Sequence, residues 1–132
     1  MRAAGVEPPR DETVQGDEGG SGTVMVVGVL AAALTLATVL VGVSQANAAQ
    51  VRAAAVADLA ALAGGDVAVV ALWEDVGDKP CERSRQVASA NGALVVGCSV
   101  VGQDLLVEVR VGAQVLGVPY EVRARARAGP EE

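Results

Sequence analysis

"VRAAAVADLAALAGG", Val51 to Gly65, reads as a short amphipathic helix closed by glycines. Val51, Ala55, Leu59 and Leu62 recur at helical spacing and make one apolar stripe, with Arg52 and Asp58 off it. Gly64-Gly65 offers a left-handed C-terminal cap, a conformation alanine adopts only at a cost. What decides the fold is the neighbour upstream. "TVMVVGVLAAALTLATVLVGV", Thr23 to Val43, is a charge-free apolar run of 21 residues. At ~1.5 Å per residue a helix of that length covers the ~30 Å hydrocarbon layer of a bilayer. Between Val43 and Gly64 nothing breaks a helix: there is no Pro, no Gly, and alanine abounds. The economical reading is one helix from Thr23 to Ala63, its first half in lipid and its second half outside. The rival reading cuts the chain after Ala46-Asn47-Ala48, a small-x-small site of the kind signal peptidase prefers, so that Ala48 is the last residue removed. An acidic N-terminal region and an overlong apolar run count against that cut.

Composition narrows the function. With 132 residues the chain holds one domain at most, and a net charge of -6 argues against nucleic acid as a main partner. Ile and Phe are absent and Lys79 is the one lysine, a bias that fits a GC-rich bacterial genome. Histidine is absent too, which removes the usual general base, the commonest zinc ligand and every Ser-His or Cys-His nucleophile pair. Asp66, Glu74, Asp75 and Asp78 form an acidic loop without the ligand spacing of a known cation-binding loop, so they read as a solvated turn. The expectation is a non-enzymatic protein with no catalytic residue, cofactor, metal or small-molecule substrate.

Four segments follow. Residues 1–20 are rich in Pro, Gly and acid; Arg2 and Arg10 against Glu7, Asp11, Glu12, Asp17 and Glu18 leave a charge of -3. They read as a disordered tail on the cytoplasmic side. Residues 21–43 are the transmembrane helix, in which Gly28, Thr35, Thr38 and Gly42 are small enough for close helix contact. Residues 44–65 continue the helix outside the membrane, and residues 66–132 form a small α+β head.

Within the head, "DVAVVALWEDVGDK" (Asp66 to Lys79) could be a strand, a helical turn or a packed loop. Trp73 in it reads as a hydrophobic plug over the core, with ligand stacking as the alternative. "PCERSRQVASANG" (Pro80 to Gly92) has Pro at a helix start and Asn-Gly at its end. Three strand signals then appear. "ALVVGCSVV" (Ala93 to Val101) is apolar on both faces and reads as well buried; Gly102-Gln103 is a tight turn. In "DLLVEVRVG", Leu105, Val107, Val109 and Val111 face one way. In "VPYEVRARARA", Tyr120, Val122, Ala124 and Ala126 oppose Glu121, Arg123, Arg125 and Arg127. Such alternation marks an antiparallel sheet with one wet face, and the stripe on the outer half of the long helix is the expected cover for the other. The arginine row is either a solvated sheet face or a site for an acidic partner. Cys81 opens the second helix and Cys98 lies in mid-strand, so a disulfide between them is geometrically plausible; two separate buried thiols are the alternative. A bridge would place the head outside the cytoplasm.

Three stretches together resemble the TadE/TadG-like proteins of Flp-type (tight adherence) pili, in their small actinobacterial branch. They are "DEGGSGTV" (Asp17 to Val24), "AAAVADLAALAGG" (Ala53 to Gly65) and "CERSRQVASANGALVVGCSVVGQDLLVEVRV" (Cys81 to Val111), and the closing "ARARAGP" (Ala124 to Pro130) is similar as well. The resemblance implies a pilin-like single-pass membrane protein with its N-terminus cytoplasmic and its head outside, whose partners are the membrane and other pilus-assembly or pilin-like proteins, reached through helix packing. Prepilin-type processing would fall at Gly20 or Gly22. Substrates of that peptidase carry Glu five positions after the glycine, whereas Gly19, Gly20 and Gly22 are followed at that distance by Val24, Met25 and Val27. An accessory role in the appendage or a related secretion apparatus therefore fits better than a major filament subunit.

Overall fold

The computed structural model describes residues 4–6 and 18–130. The tail expected over residues 1–20 lies outside them except at 4–6 and its last three positions. The order of elements is α1 (Glu18–Ala68), a 3-10 turn (Val69–Leu72), α2 (Lys79–Ala90), β1 (Ala93–Val101), β2 (Asp104–Val115) and β3 (Val118–Ala128). The chain divides into two compact units, one reaching to Thr38 and one beginning at Val39. The fold is α+β: a long N-terminal helix, a short second helix and a three-stranded antiparallel sheet.

In the first unit every described helical residue from Gly20 to Thr38 is exposed. Its two mid-helix threonines keep their hydroxyls satisfied along the helix: Thr35 donates to the Ala31 carbonyl and Thr38 to the Thr35 carbonyl, both at 2.8 Å. That lets them sit in an apolar segment without an unpaired polar group. Among the described residues one helix is long and apolar enough to cross a membrane, and none of its most apolar window is buried. A core helix of a soluble protein would be covered on at least one face.

The second unit is the head. Its sheet has the order β1-β2-β3. β2 turns its Leu105, Val107, Val109 and Val111 inward, as the alternation predicts, and β3 adds Val122. What covers them differs from expectation. Val51, Leu59 and Leu62 are exposed, on the side away from the sheet; the buried face of α1 is Ala53, Val56, Ala57, Ala60, Ala61 and Ala68. The branched residues of β2 already fill the layer, so the helix that packs on them must be flat. In an alanine-rich helix the bulkier stripe is then left outside.

The same close approach corrects the reading of Gly64-Gly65 as a cap. α1 runs through both glycines to Ala68. A Cβ on Gly64 would stand 2.3 Å from Ser84 Oγ, 2.4 Å from Leu105 Cδ2 and 2.6 Å from the Pro80 carbonyl oxygen. The glycine is there for contact, at some loss in helix propensity. Ser84 seals the junction: its buried hydroxyl donates to the Ala60 carbonyl at 2.8 Å and lies 3.2 Å from that of Pro80.

Two further expectations change. Trp73 follows the 3-10 turn and is 88% exposed, so it plugs nothing. β1 is not buried on both faces, because Leu94 and Val96 stand uncovered on the outer side. Its apolar outer face comes with an irregularity: the register to β2 slips between Val95 and Gly97. Before the slip Ala93 and Val95 pair with the inward Val111 and Val109, and after it Cys98 and Val100 pair with the inward Val107 and Leu105. The extra residue switches the alternation and so aims Cys98 at α2.

Gly64→Ala should lower stability by about 1–3 kcal/mol through overpacking, whereas Gly28→Ala, where a Cβ meets nothing within 4 Å, should not. Thermal melts of the two variants in the same detergent check this.

Candidate functional site

Among the described residues no group of three or more His, Cys, Asp or Glu side chains is placed to hold a metal ion. The acidic loop disperses: Asp78 pairs with Arg85 at 2.9 Å, Asp75 accepts the Gly77 amide at 3.1 Å, and Asp66 and Glu74 have no ion-pair partner among the described residues. What the head offers instead is a covalent brace and three exposed surfaces.

The brace is Cys81–Cys98, a closed disulfide with its Cα atoms 5.9 Å apart and its cysteines 17 positions apart in sequence. It ties the first turn of α2 to the middle of β1.

The first surface is the outer face of the sheet. Arg125 reaches Glu108 at 2.8 Å and Arg123 reaches the same carboxylate at 3.8 Å. Arg127 pairs with Asp104, and Arg110 with Glu121 at 3.4 Å. The expected row is thus laced into cross-strand pairs: the β2–β3 register puts Glu108 directly opposite Arg125, and the other pairs run diagonally, Arg110 standing opposite Arg123 and reaching Glu121 instead. Two of the acids lie underneath: Glu108 and Asp104 side chains are 21% exposed, against 81% for Arg125 and 69% for Arg127, whereas Glu121 is the outer member of its pair with Arg110. The face therefore shows guanidinium to the solvent. Leu106, Leu94 and Val96 stand exposed among these charges, and Gly97, Leu106, Arg125 and Arg127 line a shallow depression on it.

The second surface is the outward face of α1, with Val51, Leu59 and Leu62 exposed beside Asp58 and Asp66. Neither aspartate has an ion-pair partner among the described residues.

The third is the β2–β3 hairpin tip. Leu116 and Gly117 both have positive φ, 50° and 80°, the pairing that a two-residue type I′ connection requires. A leucine is a poor fit there, and α1 holds it. The Leu116 amide donates to Gln45 Oε1 at 2.8 Å, and Gly42 leaves the room its side chain fills, with Leu116 Cδ1 3.4 Å from where a Cβ would stand. Gly42 is therefore occupied by the chain's own hairpin. Sequence reasoning missed Gln45; the signal was the first amide side chain after the apolar run.

As to the processing positions, Gly20 and Gly22 lie exposed in the first turns of α1, and Ala48 lies in its interior. A cut after Ala48 would remove Gly42 and Gln45 from the head. Compared with known proteins, the chain matches no family model, no curated protein and no solved structure.

Replacing Cys81 and Cys98 together by Ser should cost about 2–4 kcal/mol of head stability. Exposed ion pairs contribute at most about 1 kcal/mol each, so Arg123, Arg125 and Arg127 changed one at a time to Gln should each cost less than the disulfide. Chemical denaturation of these variants gives the order.

Proposed function

We propose that the chain is a non-enzymatic, pilin-like, single-pass membrane protein. The apolar part of α1 anchors it, its N-terminus faces the cytoplasm and its head lies outside, where it acts as an accessory component of a Flp/Tad-type pilus or a related secretion apparatus. The observation that carries this reading is the stretch of α1 whose apolar residues are exposed on every side. In water such a surface is a strong liability; in lipid it is solvated.

Two features of the head support the reading. A disulfide persists outside the cytoplasm and not within it, and Cys81–Cys98 braces a core made largely of alanine and valine. The β2–β3 hairpin is charge-free from Val111 to Tyr120 and rests on Gly42 and Gln45, at the end of the apolar run. Leu116 and Val118 are exposed there, a composition suited to the lipid headgroup zone. The pilus assignment itself rests on the resemblance of the Ala53–Gly65 and Cys81–Val111 segments. The absence of Glu after Gly20 and Gly22 favours the accessory role.

The test is N-terminal sequencing of the chain from membranes and from culture medium, with protease protection of the head in sealed cells. An uncut start in the membrane fraction, with the head digested from outside, is expected. A mature chain beginning at Ala49 in the medium would replace this reading with a secreted binding module. A start at Ser21 or Thr23 would mean pilin-type processing and a filament subunit.

A further inference from the structure

Two faces of the head are left bare, and they match each other. We propose that the partner of the outward α1 face is the outer sheet face of a second copy of this chain, so that anchored copies stack front to back in rows. This rests on the membrane-anchored reading, which makes all copies parallel and sets them at one height.

The charges favour this arrangement. At the level of the sheet the outward α1 face carries Asp58 and Asp66 around Leu59 and Leu62, while the outer sheet face around Leu106 carries four arginines, Arg110, Arg123, Arg125 and Arg127, against three acids, Asp104, Glu108 and Glu121, with Arg125 and Arg127 standing outermost. Packing α1 against α1 would bring Asp58 and Asp66 onto their own counterparts. Packing sheet against sheet would oppose the arginines. Only the front-to-back contact joins opposite signs, and charge complementarity of this kind fixes register as well as partner.

The heights agree as well. Leu116 lies beside Gly42 and Gln45 at one end of the head, and at the other Leu105 lies beside Gly64 and Ala128 beside Gly65. β2 and β3 thus run along α1. At ~3.3 Å per strand residue and ~1.5 Å per helix residue, Leu106 stands level with Leu62, and Arg125 level with Asp58. Two copies side by side, without any shift along the membrane normal, would set Leu62 on Leu106 and Asp58 at Arg125 of β3, with Leu59 approaching Val96 of β1 on the other side of Leu62 and Asp66 above Leu62 on that same side. Because each copy uses two different faces, the contact does not close on itself as a two-fold dimer does, and it propagates into a row.

The experiment is energy transfer between donor- and acceptor-labelled full-length chains in liposomes at fixed protein density and low salt. Four proteins are compared: the natural chain, Asp58→Lys with Asp66→Lys, Arg125→Glu with Arg127→Glu, and Leu62→Glu, whose exposed position leaves the fold intact. The natural chain should associate, each variant alone should associate about tenfold less or weaker still, and mixing the two charge variants should restore transfer. Natural chains that insert but show no transfer would overturn the stacking and leave the anchored reading standing, whereas failure to insert would overturn the anchored reading itself. Association of the arginine variant alone at the natural level would overturn the stacking in favour of helix-to-helix contact. Transfer unchanged in all variants would assign association to the apolar segment and overturn it too.

Discussion

The head depends on how closely α1 lies against β2. Leu105, Val107, Val109 and Val111 occupy the layer between helix and sheet, so the helix can contribute little more than its own backbone. Alanines at positions 53, 57, 60, 61 and 68 meet that demand, and at Gly64 even a methyl group would collide with three neighbours. Close packing of this kind is intolerant of added volume. It also explains the bareness of the opposite side. With small residues used inward and Val56 the branched exception, Val51, Leu59 and Leu62 are displaced to the surface, where they are available to another molecule.

Around that contact the remaining elements are fastened by few, specific devices. The slip in β1 turns Cys98 inward and permits the bridge to Cys81; Ser84 hydrogen-bonds α2 to the backbone of α1; Gln45 holds the hairpin whose turn includes a leucine at positive φ. The fastenings reach α1 at Gly42, Gln45, Ala60 and Gly64. The head is therefore built on a length of helix that begins inside the charge-free run, and α1 is part of its core as well as a candidate anchor.

Much of this was legible in the sequence. β2 and β3 follow from period-two alternation, β1 from an apolar run ended by the turn at Gly102-Gln103, α2 from Pro80 and Asn91-Gly92, and the cysteine pair from their placement on adjoining elements. The failures share a cause. In a chain where alanine and valine fill every face, size does not indicate which side of a helix is inward, so the stripe Val51-Ala55-Leu59-Leu62 was a misleading guide. Gly64-Gly65 carries the composition of a cap, and only the presence of Ser84, Leu105 and Pro80 across the interface reveals a contact. Trp73 shows the same limit, since its size argues for burial and its place after the last turn of α1 leaves it nothing to pack on. The arginine row was visible as a row; its pairing with Glu108 and Asp104 needed the β2–β3 register.

The central claim is that one unbroken helix changes surroundings along its length, from lipid on all sides to a sheet on one side. A spin-label scan along α1 in bilayers tests it most directly, since the native cysteines are bridged and each added cysteine is the sole reactive thiol. Labels from Val24 to Val41 should be accessible to oxygen and shielded from polar collision reagents at every position. From Ala53 to Ala68 accessibility should oscillate with the helical period, lowest at Ala53, Ala57, Ala60 and Gly64. Polar-reagent access throughout the first stretch, or a loss of helical periodicity near Ala48, would contradict the account.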